Sequence, residues 1–171
     1  MRARSKQVRL DATSTEGHAG DGKRFIAFRL AEVTHALPAE AVREVLGMVL
    51  ITPVPDAPAW LTGVIDLRGT IIPVIDLRVR IGVTARALDL STPILVVDHG
   101  GRSIGLIADA IDQIITVPET SVQAPDELMQ PSRLVEAVIQ HDSRLLVVIN
   151  LDAVCAGAKR FTEPSAPHAR A

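Results

Sequence analysis

Two apolar runs that share an ending constrain this chain more than any other feature: Gly63-Val64-Ile65-Asp66-Leu67-Arg68-Gly69-Thr70-Ile71-Ile72-Pro73-Val74-Ile75-Asp76-Leu77-Arg78. Each run closes on Ile-Asp-Leu-Arg, and they meet at Gly69. β-branched residues suit the half-buried surface of a sheet, and a tight turn needs a residue free to adopt positive φ. Arg68-Gly69 is therefore expected to be the turn of a β-hairpin. The guanidinium of Arg68, at the end of an otherwise apolar strand, must either reach water or pair with an acid.

The remaining apolar pattern is mainly strand-like. Phe25, Ala27 and Arg29 alternate with Ile26, Phe28 and Leu30, predicting a first strand with one apolar and one mixed face. A second is expected over Val33 to Leu37 after a turn near Ala31-Glu32, and a third over Val42 to Leu50. Pro55 and Pro58 make the next segment a poor strand, so Pro58 to Leu61 reads as one short helical turn carrying Trp60 against the barrel. Further on, Ile94 to Val97 and Ser103 to Ile107 flank a Gly100-Gly101 corner, Ile111 to Val117 continues the pattern, and Pro118 closes it. Leu134 to Ile139 and Leu145 to Ile149 flank His141-Asp142-Ser143-Arg144 as one more hairpin. A short helix is expected from Leu151 to about Arg160, with Asp152 near its positive end and Lys159-Arg160 near its negative end. The fold class is all-β with short helices.

At 171 residues the chain suits one domain, and 47% hydrophobic residues suffice for a substantial core. The segments 1–23 and 162–171 lack apolar periodicity and are expected to be flexible tails around a folded unit at 24–161. A net charge of −2 and a pI near 6.2 leave no electrostatic footprint for nucleic acid or an anionic membrane. Aromatic residues are confined to Phe25, Phe28, Trp60 and Phe161, so stacking on bases is disfavoured and the core must be aliphatic. No apolar run has the length of a membrane span, the N-terminus lacks a signal-peptide core, and the single Cys155 cannot form an internal disulfide. Cytoplasmic location without membrane insertion is the expectation.

Catalytic constellations do not assemble. His99-Gly100-Gly101 has the look of an oxyanion loop, but the chain has no Gly-x-Ser-x-Gly turn, and hairpin chemistry accounts for those glycines. His18, His35, His99, His141 and His168 lack ligand spacing, so no metal is expected. Without a Gly-rich phosphate loop and its Lys, no nucleotide or other cofactor is expected. Asp56, Asp66, Asp76, Asp109 and Asp112 sit in a β-rich chain, where a phospho-acceptor set needs alternating β and α segments. Cys155 reads as a packing residue.

Several short motifs occur in order: Phe25-Ile26-Ala27-Phe28-Arg29-Leu30, Ala36-Leu37-Pro38, Val42-Arg43-Glu44-Val45, Ile51 to Gly63, the hairpin itself, and Arg80-Ile81-Gly82. Taken as one string, the chain resembles a CheW domain, the coupling module of bacterial chemosensory arrays, densely from Phe25 to Gly82 and as a pattern of strands from Pro93 to Leu151. One departure is visible, since Asp66 stands where the family most often has Asn. Asp66 and Arg68, two apart on a strand, share a face, so a pair between them would hold the Arg in place.

The resemblance implies two packed SH3-like five-stranded β-barrel subdomains, Pro93 to Leu151 supplying most of the second. It implies a non-catalytic, stand-alone adaptor associated with chemoreceptor arrays. Its partners would be the regulatory domain of a CheA-type histidine kinase and the cytoplasmic tip of a methyl-accepting chemoreceptor. Carried over by position, the partner-binding residues would be Val42, Glu44, Gly63, Arg68 and Gly69. Structural alternatives stand beside these roles, Val42 as core and Gly63 and Gly69 as backbone requirements, while Glu44 is the cleanest interaction candidate, since an acid in that strand frame should face solvent or a partner. The alternative function is a small β-barrel binding module for nucleic acid or another ligand.

Overall fold

A computed structural model describes residues 22–125 and 132–161. The tails expected at 1–23 and 162–171 lie outside these, except that Gly22 and Lys23 already belong to the first strand. Among the described residues eleven strands follow in chain order: β1 (Gly22–Leu30), β2 (Val33–Pro38), β3 (Val42–Leu46), β4 (Leu61–Leu67), β5 (Thr70–Asp76), β6 (Ile94–His99), β7 (Arg102–Ile107), β8 (Ala110–Pro118), β9 (Val122–Gln123), β10 (Val135–His141) and β11 (Arg144–Ile149). Two short helices, α1 (Leu77–Arg80) and α2 (Leu151–Cys155), continue from β5 and β11. Their N-caps are Asp76, whose carboxylate accepts from the Arg78 and Val79 amides, and Asn150, which accepts from Ala153.

The strands form two sheets, ordered β8-β1-β2-β11-β10-β9 and β3-β6-β7-β5-β4. These repeat each other. β3, β6, β7, β5 and β4 correspond in turn to β8, β1, β2, β11 and β10, with the same antiparallel pairings and the same single parallel pairing, β5 to β7 and β11 to β2. β9 pairs along β10 where, in the other sheet, Thr52 bridges to Val64 on β4. The mainly β architecture of two SH3-like subdomains is thus present. Pro93 to Leu151 supplies β8 to β11, most of the second sheet, as expected, but β6 and β7 from the same stretch join the sheet of β3 to β5, while β1 and β2 complete the second.

Three aliphatic cores explain this interleaving. Phe25, Ala27, Ala36, Ile139 and Val148 fill one barrel, and Ile65, Ile72, Val74, Ile94 and Val96 the other. Between the sheets lies a third core with Ile26, Phe28, Leu30 and Leu37 from one and Ile75, Leu95, Val97 and Leu106 from the other. β1 and β6 are apolar on both faces because each has a barrel interior on one side and the opposing sheet on the other.

Some local expectations change. β3 ends at Leu46 instead of Leu50, and Pro58 to Leu61 is a hydrogen-bonded turn, Leu61 N to Pro58 O at 2.9 Å, without a helix. Trp60 packs at the border of the central core, as expected. The C-terminal helix stops at Cys155, because Ala156 leaves helical dihedrals and Gly157 takes φ 82°, before a 3₁₀ segment at Ala158–Phe161. Arg80 covers this break: Nε donates to the Val154 carbonyl at 3.0 Å, and Nη2 to those of Ala153 and Ala156 at 3.0 and 3.1 Å, with the guanidinium 4.2 Å over the Trp60 ring. Arg80→Ala is expected to cost about 1–3 kcal/mol, with Tm falling roughly 2–4 °C per kcal/mol, and Arg80→Lys to recover only part, since an ammonium cannot fork across three carbonyls. Thermal denaturation of the two variants checks this.

Candidate functional site

The site begins with an irregularity in β3. Val42 pairs with Val97 and Glu44 with Val96, which leaves Arg43 as the extra residue of a β-bulge. Val42 and Val45, three apart, therefore both pack on the central core, while Arg43 and Glu44 both line a cleft on the opposite side. Strict alternation would have separated them.

Across the cleft stands the β4–β5 turn. Arg68 and Gly69 both have positive φ, 54° and 84°, as the tight hairpin turn favoured by strand twist requires. A Cβ on Gly69 would meet nothing within 4 Å, so its requirement is conformational, not steric. Asp66 Oδ1 accepts from the Gly69 amide at 2.7 Å and pins this turn. The expected Asp66–Arg68 pair does not form. Arg68, turned out of strand geometry by its left-handed backbone, instead donates Nη1 and Nη2 to the two carboxylate oxygens of Glu44, each at 2.9 Å. Because β3 and β4 are the two edges of the five-stranded sheet, this bidentate pair closes the open side of the barrel. The Glu44 carboxylate raises the Arg68 guanidinium above its ordinary value by hydrogen bonding.

The cleft has a volume of about 470 Å³. Two of the lining residues are held by Asp98, which accepts from the Arg43 guanidinium and from the Gly101 amide at 3.0 Å, and the Arg43 bond keeps the Asp98 carboxyl below the usual carboxylate range. Arg102 lines the cleft and donates Nη1 to the Lys159 carbonyl at 3.2 Å. Ile71, half exposed, supplies an apolar shoulder beside the charges. Such a surface, with paired guanidiniums and carboxylates around an uncovered aliphatic side chain, is suited to docking another protein.

Of the five positions named from sequence, Glu44 and Arg68 come together and Gly69 sets the turn that presents Arg68. Val42 and Gly63 do not join them. Val42 packs on the central core, and Gly63 lies against the Thr52 carbonyl on the far flank of β4. Sequence reading missed Arg43, Ile71 and Arg102. A signal existed for Arg43, since core residues three apart on a strand, Val42 and Val45, imply a bulge.

The other candidates serve the scaffold. Asp76 caps α1, Asp109 pairs with Arg78, Asp112 with Arg29 at 3.3 Å, and His99 Nε2 meets Asp152 Oδ1 at 2.6 Å. Cys155 is buried, with its thiol pushed up to about 12 by desolvation, as suits a packing residue. Among the described residues no three His, Cys, Asp or Glu side chains gather as a metal site.

A family model described as CheW-like domain matches residues 24–159. The chain is 33% identical to the chemotaxis protein CheW of Rhizobium meliloti (strain 1021) over 141 residues, covering 81% of this chain and 91% of that protein. It is 29% identical over 135 residues to the chemotaxis protein CheW of Bacillus subtilis (strain 168), covering 78% and 86%. Among solved structures it is similar to the scaffolding protein TtCheW from Thermoanaerobacter tengcongensis, with a TM-score of 0.75 and 34% identity over 79% of this chain and 93% of that one.

Proposed function

The chain belongs to the CheW-like domain family, and from that premise we propose that it is a chemotaxis coupling adaptor, a scaffold that bridges a CheA-type histidine kinase and chemoreceptor tips without catalysis of its own. Coupling then means that receptor state favours one arrangement of the assembly over another, and the kinase follows. In this reading the Glu44–Arg68 cleft is where the kinase regulatory domain docks, and the protein works in the cytoplasm at the receptor array. Among the described residues no helix is long and apolar enough to cross a membrane. The observation that carries the assignment is the bidentate pair itself. Arg68 is two-thirds exposed while fixed in one geometry by Glu44, so a partner's acid meets a guanidinium whose conformational freedom is already restricted. Nothing in the site or the relatives favours the nucleic-acid module.

Titration of each variant against the kinase regulatory domain and a receptor-tip fragment tests the reading. Arg68→Ala is expected to weaken assembly about tenfold or more, against little change for Arg160→Ala, and Glu44→Lys is expected to do the same with a nearly unchanged melting curve. Glu44 also loses its hold on Arg68 in that variant. Unchanged affinity for both partners in both variants would remove this cleft from the interface, and ATP hydrolysis that tracks with the pure folded chain would overturn the non-catalytic assignment.

A further inference from the structure

In each sheet a single parallel pairing seams one half to the other, and the repeat lets the two seams be compared. β5 joins β7 over three pairs, Val74–Gly105, Ile75–Leu106 and Asp76–Ile107, whereas β11 joins β2 over two, Val147–His35 and Val148–Ala36. Val74 stands for Val148 and Gly105 for Ala36, so Ile104 occupies the place of His35. Their antiparallel neighbours correspond too, Val97 opposite Ile104 and Phe28 opposite His35. Ile104 is fully buried in the central core, and His35 is nearly as inaccessible, 6% exposed, but carries an ionisable ring. One seam is thus shorter than its twin and has a titratable side chain where the twin has an aliphatic one.

The surroundings of His35 suit only the neutral imidazole. Its ring stacks on Phe28 with centroids 5.9 Å apart, and Nδ1 donates to the Val33 carbonyl at 3.1 Å. A further proton would go to Nε2, for which no residue among those described provides an acceptor. Nor does a neighbouring charge compensate. Arg29 of β1 and Arg144 of β11 line a cleft on the opposite face of the sheet, and β2 has no other ionisable residue. Arg24 shares the face of His35 but stands four residues from Phe28 along β1, and at the β1–β2 turn Glu32 and Asp109 both act on Arg78. Burial therefore lowers the His35 imidazole from its ordinary value, against a smaller opposing effect of the Val33 carbonyl. We propose that a proton on His35 opens the β2–β11 seam, so that mildly acid pH frees the β10–β11 hairpin from β8, β1 and β2 while the sheet of β3 to β7 stays closed. The seam is fully stable above the unfolded value of about 6.5 and weakens as pH falls from there toward the lower folded value. This device lies outside the adaptor reading, and its test needs only the pure full chain, so its failure leaves that reading untouched.

Amide hydrogen exchange, corrected for intrinsic rates, is expected to lose protection over residues 33–37 and 145–149 by up to about tenfold between pH ~7.5 and ~5.5, since one proton is taken up on opening. Protection over 74–76 and 104–107 should change little. His35→Ile, which copies the other sheet, should abolish the loss, and so should His35→Gln, which is polar but uncharged. Because either substitution risks misfolding in so closed a place, the wild-type ring supplies a second measurement: its NMR signals should titrate below about 6.5. Protection retained at the lower pH overturns the proposal, as does an equal loss in both sheets. A loss that persists in the folded variants assigns it to another histidine and overturns the proposal as well, and so does a His35 ring that titrates at or above its ordinary value.

Discussion

Arg78→Ala is expected to destabilise the protein by about 2–4 kcal/mol, because it leaves a carboxylate without its partner at the junction of the two sheets. Arg78 Nε and Nη2 donate to Asp109 Oδ1 and Oδ2 at 2.7 and 2.5 Å, and both side chains are mostly buried, 16% and 13% exposed. Asp109 Oδ2 also accepts from the Ala31 amide at 2.7 Å, and Arg78 Nη1 donates to the Thr84 carbonyl at 2.9 Å. One ion pair thus ties α1, the crossing from β7 to β8, and the β1–β2 turn. Chemical denaturation of Arg78→Ala, Asp109→Asn and the double variant should show strong coupling, the double costing far less than the sum of the singles.

The pair also sets an acid limit. Hydrogen bonding to Arg78 holds the folded Asp109 carboxyl below the usual carboxylate range, so its contribution is complete above the unfolded value of about 4 and is lost as pH falls through the lower folded value. Asp109→Asn should flatten the decline of stability in that acid window while lowering stability at neutral pH. A wild-type acid limb retained by the Asn variant would assign the decline to other carboxylates.

Gly63→Ala is expected to cost about 2–5 kcal/mol, through forced overlap and the loss of two backbone hydrogen bonds. A Cβ at Gly63 would lie 2.2 Å from the Thr52 carbonyl oxygen and 2.8 Å from Ile51 Cγ2. Thr52 and Val64 exchange amide hydrogen bonds at 2.9 Å in both directions, and that bridge must break to admit the methyl. The register places Ala137 of β10 at the equivalent position, buried and tolerated. The requirement for glycine therefore comes from the close approach of the 51–52 segment and not from the strand. Well below its lowered Tm, the variant should keep kinase affinity near wild type. Lost affinity with an unchanged melting curve would return Gly63 to the interface.

How much of this was legible in the chain follows the range of the interaction. The hairpin turn at Arg68-Gly69, the Gly-Gly corner and the 141–144 hairpin were readable, because turn chemistry acts within a few residues. So were the two faces of β1, whose alternation matches the barrel core and the central core. The Asp66–Arg68 pair was misread for a local reason, since the same-face rule holds only in extended backbone and Arg68 has φ 54°. The C-terminal helix ends at Cys155, short of Arg160, because Ala156 and Gly157 leave helical dihedrals, and the carbonyls freed there are taken up by Arg80, more than seventy residues away in the chain.

The duplication left a trace, Ile75-Asp76-Leu77 and Ile149-Asn150-Leu151, where a strand hands over to a capped helix. By itself the sequence determined the strands, their turns and the aliphatic character of the cores, which depend on neighbours along the chain. Only the tertiary structure decided that β2 lies beside β11 and β5 beside β7, and that Glu44 receives Arg68 from the opposite edge of its sheet. Strands apolar on both faces fit several neighbours equally well by pattern, and the choice falls to the simultaneous filling of two barrels and the core between them.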